Sequence, residues 1–323
     1  MLIKEAAESL KMKQLRVMLS RSSPHFLYRK EMESELARRI AGYQGEKSMD
    51  FHMDLLPKAE TFIFHDLRIP YGTTYHFQLD ILILTTTFFL IIEVKNMVGT
   101  LIFDQEFKQL IRTYKGVEET FPDPISQLYR QTFLLKELLK QNRFPYVPIE
   151  SLVIVSNPHT RIKSIPEHID LSKSVTHSTN LLAKFHEYQN VYKEEKIAKK
   201  EIKKLYRLLL KQNRPQTTDL FNQFSMTEHD ILKGVACPDC KMIPIVRLRG
   251  KWFCLKCGHT SKDAHLAALK DYSILYNPSI SNRQCCDFLQ IPSRFVIKHL
   301  LDASPLSSSK MGSKRIYHLH ELE

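Results

Sequence analysis

Residues 78–99 read QLDILILTTTFFLIIEVKNMVG, and this stretch decides the fold of the first half of the chain. Two short apolar runs, rich in β-branched and aromatic residues, lie on either side of three threonines, a pattern that predicts a β-hairpin. Asp80 comes directly before the first run, and Glu93 and Lys95 end the second. Charged groups are costly to bury unless they are paired or bound to a metal ion, so their placement beside buried strands needs an explanation.

The spacing of these three charged residues suits a divalent-metal site for phosphodiester hydrolysis. Two carboxylates from adjacent strands can hold Mg²⁺ or Mn²⁺ through oxygen ligands, and the carbonyl of Val94 can add another ligand. Side chains alternate along a strand, so Lys95 points to the same face as Glu93, where its ammonium can position the attacking water. A solvated strand end with a Glu–Lys pair is the simpler alternative, and the adjoining apolar runs favour the metal site over it.

The segments around the hairpin predict an α/β domain. Residues 61–69 and 149–155 have the character of strands, and residues 122–139 place apolar side chains on one face of a helix. Strands, then a helix, then a buried strand indicate an α/β core. His65 and Asp66 lie within the first of these strands, where a local hydrogen bond or a role in strand register is the better interpretation than catalysis.

A helical region is predicted upstream of these strands. Residues 28–55 are rich in Glu and Arg and have helical character, but AGYQG at 41–45 predicts an interruption because glycine disfavours helix interiors. Glu46 then opens the helix that runs to Leu55, and an acidic residue in a first turn is favoured by the helix dipole.

Three segments of this half resemble the NERD domain, a nuclease-related module of the PD-(D/E)xK superfamily. They are FHDLRIP at 64–70, DILIL at 80–84 and EVKNMVG at 93–99. The resemblance covers residues 40–185, and one departure is Met97, where the family often has an aromatic residue. It implies a restriction-endonuclease-like α/β fold, with a mixed-sheet core flanked by helices, and Mg²⁺-dependent cleavage of DNA.

The resemblance also implies roles for individual residues. Asp80 and Glu93 would be the main metal ligands, and Lys95 would be the cation that positions water. Glu46 would be a supplementary metal or water ligand, and Gln127 a polar neighbour of the site.

Four cysteines predict a structural zinc site. Cys237 and Cys240 form one C-x2-C pair, Cys254 and Cys257 form another, and thirteen residues separate the pairs. Each pair places two thiolates on one tight turn, and four thiolates make a closed tetrahedral Zn²⁺ site. We expect this zinc ribbon to hold a small fold together rather than to take part in chemistry.

Basic residues between the cysteine pairs indicate a surface for nucleic acid. Arg247, Arg249 and Lys251 lie there beside Trp252. Basic and aromatic side chains are common contacts to phosphates and bases. Many zinc ribbons serve only protein contacts, so this role stays open.

Residues 279–303 have the pattern of a helix-turn-helix. Ser281 and Ser293 are predicted N-caps of its two helices, and the basic stretch that follows leads to a wing strand. This part resembles winged-helix domains and would place its second helix in the groove of DNA. The basic residues that would contact DNA here are Arg294, Lys298, Lys310, Lys314 and Arg315. A helical hairpin used for protein contacts is the alternative.

Composition and charge agree with a nucleic-acid partner, DNA above all, although a basic surface is also common in proteins that never bind nucleic acid. The 323 residues are 43% hydrophobic and 25% charged, which is typical of globular domains. The net charge is +12, yet residues 46–190 contain 15 basic and 17 acidic residues, so most of the positive excess lies outside the predicted catalytic segment. No signal peptide or membrane-spanning run is visible, so we expect a cytoplasmic protein with no membrane partner.

These patterns divide the chain into five predicted parts. They are an N-terminal helical extension (1–39), the NERD-like domain (40–190), a connector helix and linker (191–232), a zinc ribbon (233–262) and a helix-turn-helix or winged-helix domain (263–323). The function they predict is a metal-dependent DNA endonuclease or phosphodiesterase with C-terminal DNA-binding modules. A DNA-binding regulator or scaffold with an inactive nuclease core is the alternative from another class, and RNA as the substrate is a third.

Overall fold

The computed structural model describes residues 1–59, 61–311 and 314–322. The chain divides into two compact units. The first unit consists of Met1–Glu8 and Arg38–Gln216, and the second consists of Ser9–Ala37 and Thr217–Glu323. Within the described residues, no helix is both long enough and apolar enough to cross a membrane.

Both units contain helices and strands. The α-helices are α1 (Leu10–Ser20), α2 (Arg29–Asp54), α3 (Pro124–Gln141), α4 (Leu181–Val191), α5 (Lys199–Gln212), α6 (Leu220–Gln223), α7 (Ala264–Leu275), α8 (Asn282–Leu289) and α9 (Arg294–Asp302). The strands are β1 (Leu2–Lys4), β2 (Phe62–Tyr71), β3 (Tyr75–Leu84), β4 (Phe89–Lys95), β5 (Thr100–Asp104), β6 (Gln109–Tyr114), β7 (Val117–Pro122), β8 (Ile149–Val155), β9 (Arg161–Ile165), β10 (Val175–His177), β11 (Val246–Leu248), β12 (Lys251–Phe253), β13 (Thr260–Ser261), β14 (Ser279–Ser281), β15 (Ser308–Met311) and β16 (Lys314–His318). Short 3-10 helices cover Ser178–Asn180, Glu228–Asp230 and His320–Leu322.

A six-stranded mixed sheet forms the centre of the first unit, in the order β1-β2-β3-β4-β8-β10. Strands β2, β3 and β4 are joined antiparallel, whereas β1 joins β2 in parallel, and β8 and β10 continue the sheet in parallel beyond β4. Ile81 lies opposite Ile92 and Leu84 lies opposite Phe89, so the predicted hairpin is confirmed. The buried parallel strand predicted at 149–155 is β8.

Helices cover both faces of this sheet. On one face, Leu135 of α3 and Leu205 of α5 join a core that includes Phe64 of β2. On the other face, Met49 of α2 and Phe185 of α4 belong to a separate core. Successive side chains of a strand point to opposite faces of the sheet, so neighbouring strand residues are buried in different cores. The predicted α/β class, with a mixed sheet flanked by helices, is confirmed.

Helix α2 is continuous, so the interruption predicted at 41–45 is wrong. The reason is a contact with the end of β4, since a Cβ atom added at Gly45 would come within 2.4 Å of the Cβ of Asn96. The side-chain amide of Asn96 also donates a hydrogen bond of 2.8 Å to the carbonyl of Ala41. This tertiary contact outweighs the poor helix propensity of glycine. Glu46 therefore lies in the interior of a helix, not in a first turn.

A second, four-stranded sheet extends the first unit, in the order β7-β6-β5-β9. Strand β5 pairs with β9 in parallel, and the other pairs are antiparallel. Leu101, Phe103 and Leu110 of this sheet are fully buried in the same core as α3. The second sheet thus anchors the chain between β4 and α3.

The second unit is built around one core. Leu15 of α1, Trp252 of β12, Leu269 of α7 and Phe288 of α8 are buried in it together. Strands β11, β12 and β13 form a small antiparallel sheet between the cysteine pairs and just after them. The chain turns between β11 and β12, where Arg249 and the following glycine adopt φ values of 48° and 83°.

The C-terminal part of the second unit contains two successive helices, α8 and α9, where the helix-turn-helix was predicted, and then the β15–β16 hairpin, the segment predicted as a wing. The hydroxyl of Ser281 caps α8, and the hydroxyl of Ser293 caps α9 by accepting a hydrogen bond from the N–H of Val296. Strands β14, β16 and β15 form an antiparallel sheet beside these helices. Helix α9 occupies the position of the second helix of the motif.

We expect Gly45→Ala to destabilise the first unit, because the new methyl group would overlap the side chain of Asn96. Overpacking of this kind costs about 1–3 kcal/mol of unfolding free energy. Hydrogen-exchange mass spectrometry of peptides from β3 and β4, at increasing urea concentrations, measures the change in this unit.

Gly42→Ala is the matched control in the same helix. Nothing lies within 4 Å of a Cβ atom added there, so this variant should stabilise the unit by up to about 1 kcal/mol through helix propensity alone. Effects of the same sign and size in the two variants would contradict the packing role of Gly45.

Candidate functional site

The carboxylate of Glu93 is the most deeply buried charged group at the end of the hairpin. Its side chain lies at the end of β4 and is only 3% exposed. The Nζ atom of Lys95 donates to its Oε1 atom at 2.7 Å. The side-chain amides of Gln127 and Gln131, both on α3, donate to its Oε2 atom at 2.6 and 3.2 Å. Three donors from two elements thus compensate the loss of hydration of this carboxylate.

Asp80 lies on the neighbouring strand β3 and is tied to the same strand end. Its Oδ2 atom accepts a hydrogen bond of 2.9 Å from the backbone N–H of Val94. Burial, together with the nearby charges of Glu93 and Glu46, raises the pKa of Asp80 well above its usual range, whereas Lys95 and the Val94 N–H act in the opposite direction. These contacts bring Asp80, Glu93 and Lys95 together at the end of the hairpin.

Glu46 reaches the same group from helix α2. Burial raises its pKa to about 7, with further contributions from the charges of Asp66 and Glu93, and Lys4 acts in the opposite direction. The contact between Asn96 and the α2 backbone holds the helix in this place. Three carboxylates of the predicted set therefore act on one another electrostatically.

The pair Lys4 and Asp66 was not predicted as part of this site. The Nζ atom of Lys4 donates to the carbonyls of His65 and Asp66 at 2.7 and 2.6 Å and lies 3.8 Å from a carboxylate oxygen of Asp66. Asp66 has a φ of 49°, which is unusual for a residue within a strand. No sequence signal links Lys4 to the site, because strand pairing alone brings it next to residues about sixty positions away.

Gln131 is a further neighbour that sequence reasoning missed. It is 4% exposed, and its amide nitrogen also donates to the carbonyl of Gln78 at 2.8 Å. Its Oε1 atom is buried and has no hydrogen-bond partner among the residues that the structure describes. The signal that could have found it is its position four residues after Gln127, since residues at that spacing lie on one face of a helix.

The residues present fit a divalent cation such as Mg²⁺ or Mn²⁺. Carboxylate oxygens are the ligands these ions prefer, and burial, followed by the charges of Glu93 and Glu46, raises the pKa of Asp80, so a cation bound there would stabilise its ionised form. Within the described residues, only the four cysteines bring three or more potential ligand atoms within 4.8 Å of one another. The carboxylates of Glu46, Asp80 and Glu93 are therefore more widely spread. Val94 stays a predicted carbonyl ligand.

The four cysteines converge as predicted for a zinc site. The Sγ atoms of Cys237 and Cys257 are 3.6 Å apart, and those of Cys240 and Cys254 are 3.5 Å apart. Four sulfurs at about 2.3 Å from a central Zn²⁺ would have separations close to these values. Backbone N–H groups, above all that of Cys257, lower the pKa of Cys254 to about 7, which favours the thiolate that zinc requires.

The two cysteine turns have matching backbone geometry. Lys241 and Gly258 follow the second cysteine of each pair, and both have positive φ values, 61° and 73°. The N–H of each donates to the carbonyl of the first cysteine of its own pair, at 3.1 and 2.9 Å. A cysteine cluster of this form is compatible with the predicted zinc ribbon.

The basic residues of the ribbon differ in their environments. Arg249 and Lys251 are exposed, as contact with nucleic acid requires. Trp252 is 1% exposed and belongs to the core, so it is not a surface residue beside them. The guanidinium of Arg247 stacks over its indole ring at 5.4 Å, and burial lowers the pKa of this arginine. Arg247 thus covers the tryptophan.

A basic cavity lies at the start of helix α9. Its volume is about 630 Å³, and its lining includes Arg283, Arg294, Phe295, Lys298 and Arg315. Arg294 and Lys298 are exposed one helical turn apart, as predicted. The structure therefore brings together three of the five basic residues predicted here to contact DNA.

The other two basic residues of this group lie on the wing. Lys310 is exposed on β15. The side chain of Lys314 lies outside the described part of the chain. Arg315 also forms an ion pair of 3.2 Å with Asp302 at the end of α9, which orients its guanidinium beside the helix.

A comparison with protein-family models gives one match to this chain. Residues 41–156 match the NERD family, described as a nuclease-related domain. The matched range contains Glu46, Asp80, Glu93, Lys95 and Gln127. Comparisons with curated proteins and with solved structures found no match.

The raised pKa of Glu46 predicts a pH-dependent stability in buffer without added magnesium or manganese. Its folded-state pKa of about 7 exceeds its ordinary value of 4.5, so the folded state favours the neutral acid. That contribution is complete below pH 4.5 and is lost as the pH rises through about 7. Glu46→Gln should therefore gain about 1–2 kcal/mol of stability over the wild type between pH 5 and pH 8.

Hydrogen exchange of the β3 and β4 peptides over this pH range measures the difference. The control is Glu106→Gln, which changes an exposed glutamate of the same unit. A Glu46→Gln curve parallel to the wild type would contradict the raised pKa.

Loss of zinc is expected to loosen the core around Trp252, the only tryptophan of the chain. Cys254→Ser removes one of four thiolates, so it should lower the zinc content and shift the tryptophan emission to longer wavelength. Cys286→Ser is the control, because this cysteine lies outside the four-cysteine cluster. Zinc analysis and fluorescence are the measurements, and unchanged zinc in Cys254→Ser would count against the site.

Proposed function

We propose that this chain is a metal-dependent nuclease that hydrolyses phosphodiester bonds of DNA, because residues 41–156 match the NERD family of nuclease-related domains. The observation that carries the proposal is the buried carboxylate of Glu93, held by Lys95 and two glutamine amides beside Asp80. A solvated strand end would not bury a carboxylate in this way or surround it with donors from a separate helix.

We propose that Asp80 and Glu93 hold the cation, with Glu46 and the carbonyl of Val94 as further ligands. A bound Mg²⁺ or Mn²⁺ would supply Lewis acidity, lowering the pKa of water and offsetting charge on the phosphate. The negative field among the three carboxylates supports this assignment.

Lys95 is proposed as the cation that positions water and faces the developing negative charge. Burial alone would lower its pKa, but the charges of Glu93 and Asp80 outweigh that effect and raise it. The ammonium therefore stays protonated and serves as a fixed positive charge, not as a general base.

Gln127 and Gln131 are proposed as positioning residues. Their amide groups fix the orientation of the Glu93 carboxylate, and the backbone N–H of Val94 does the same for Asp80. Carboxylates that are already held in one orientation lose little conformational freedom when they bind a metal ion, and efficient sites generally have such preorganised ligands.

The parts beyond residue 232 are proposed to bind DNA. The exposed basic residues of the ribbon (Arg249, Lys251) and of the winged-helix part (Arg294, Lys298, Lys310) support this, together with the net positive charge of the chain. In this division residues 40–190 carry the chemistry, and residues 233–262 and 263–323 hold the nucleic acid. The zinc ion would be structural, since four thiolates leave no open position.

The nuclease proposal predicts DNA cleavage that requires added Mg²⁺ or Mn²⁺ and is lost in two variants. Glu93→Gln removes a charged ligand and Lys95→Ala removes the fixed cation, so each should slow cleavage at least about 100-fold. DNA affinity should change little, because the proposed binding residues lie elsewhere. Cleavage is followed on single-stranded, duplex and branched DNA and on RNA.

The metal requirement is best tested by omitting magnesium, because a strong chelator would also remove zinc from the ribbon. Lys108→Ala is the matched control, since this exposed lysine lies in the turn between β5 and β6. Wild-type protein that binds DNA but cuts no substrate, with variants that behave identically, would support the non-catalytic regulator instead. Cleavage of RNA but not of DNA would change the proposed substrate and leave the proposed metal-dependent hydrolysis in place.

A further inference from the structure

We infer that an exposed aromatic groove on the first unit binds unpaired nucleobases, so that the substrate carries a single-stranded segment. The groove has a volume of about 390 Å³ and is lined by Tyr71, Tyr75, Tyr129, Arg130, Phe133 and Leu134. We call these six residues the aromatic groove. The inference rests on the proposed function, because it names the substrate form for that site.

The rings of the aromatic groove are unusually exposed. The exposed fractions are 78% for Tyr129, 54% for Phe133 and 50% for Tyr75. Single exposed apolar residues are common on protein surfaces and need no explanation. A cluster of exposed aromatic side chains, in contrast, indicates a binding site. Among the described residues, these three rings make no stacking contact with another aromatic ring.

The groove is built from two rigid elements of the first unit. Tyr71 and Tyr75 are paired across the end of the β2–β3 hairpin. Tyr129 and Phe133 are four residues apart on α3 and therefore lie on the same side of the helix. Rings held on a hairpin and a helix lose little freedom when a planar ligand stacks on them.

The composition of the groove favours nucleobases over an apolar protein segment. Four of its six residues are aromatic and one is aliphatic, and none of the described residues that line it is acidic. Arg130 makes no ion pair within the described part of the chain, so its guanidinium is available for a phosphate or for stacking on a base. Aromatic rings interleaved with basic groups are how proteins bind single strands without reading their sequence.

The same two elements carry the groove and the candidate site. Gln127 and Gln131 of α3 contact Glu93, and Phe133 follows six residues after Gln127, about 9 Å along the helix axis. Strand β3 begins at Tyr75 and carries Asp80 further along. Tyr129 and Phe133 each lie two residues after one of these glutamines, about 200° around α3, so the rings and the glutamines occupy different sides of the helix.

Stacking on these rings requires bases that are not already stacked in a duplex. Duplex DNA presents its phosphates and base edges, whereas the faces of its bases are covered. The substrate is therefore single-stranded, or has a flap, gap or unpaired end that reaches the groove.

The test measures binding of the full chain, in magnesium-free buffer, to oligothymidylate, to an abasic oligomer of equal length and to a duplex. Tyr129→Ala and Phe133→Ala should each weaken binding of oligothymidylate about ten-fold, because each removes one stacking surface. Binding of the abasic oligomer and of the duplex should not change. Tyr129→Phe keeps the ring and should retain wild-type affinity.

Matched controls remove exposed rings that lie outside the groove. Tyr146→Ala and Phe107→Ala serve here, since these side chains are 75% and 77% exposed. Oligothymidylate that contains iodouracil, cross-linked by light and mapped by mass spectrometry, should label peptides of α3 or of the β2–β3 hairpin.

Two results would overturn the inference. One is an affinity of the groove variants for oligothymidylate equal to that of the controls, with cross-links on other peptides. The other is an equal loss of affinity for the abasic oligomer, since phosphates and not bases would then be the ligand. Binding is measured without cleavage, so a wild-type protein that stacks bases but cuts nothing would refute the proposed function and leave this inference standing.

Discussion

The buried carboxylate of Glu93 is the constraint on which the first unit depends. A charge at 3% exposure is tolerable only where donors replace its lost water, and here they come from Lys95 on the same strand and from two glutamines on α3. Those glutamines can reach it only because apolar side chains of α3, such as Leu128 and Leu135, fix the helix on the sheet. Packing and chemistry are therefore coupled, since a shift of α3 would leave a buried charge uncompensated.

A second constraint acts from the opposite face of the sheet. Asn96 follows Lys95 directly, bonds the backbone of α2 and packs against Gly45. That contact brings Glu46 into the field of Glu93 and Asp66. The short segment that ends β4 thus orders one helix on each face of the sheet. The four successive residues 93–96 therefore set the geometry of the candidate site.

Features that depend on neighbouring residues could be predicted from the sequence, whereas contacts between residues far apart in the chain could not. The hairpin follows from its two apolar runs, the caps of α8 and α9 from single serines, and the cysteine cluster from its spacing. The continuity of α2 was missed because glycine propensity is local, whereas the contact with Asn96 joins residues about fifty positions apart. Burial of Trp252 was missed for a similar reason, since its core partners come from other helices of the second unit.

The two candidate metal sites of the chain differ in their ligands, and this difference separates their proposed roles. Four thiolates form a closed, soft site that suits Zn²⁺ and leaves no position for water or substrate. The carboxylates of the first unit are hard oxygen donors, more widely spread, and held by protein hydrogen bonds in the absence of a cation. Binding of a divalent ion there must compete with Lys95 and Gln127 for the oxygens of Glu93. We therefore expect the affinity of the proposed site for a divalent ion to be lower than that of a preassembled cage, and a phosphate that adds its own oxygens would favour binding of metal and substrate together.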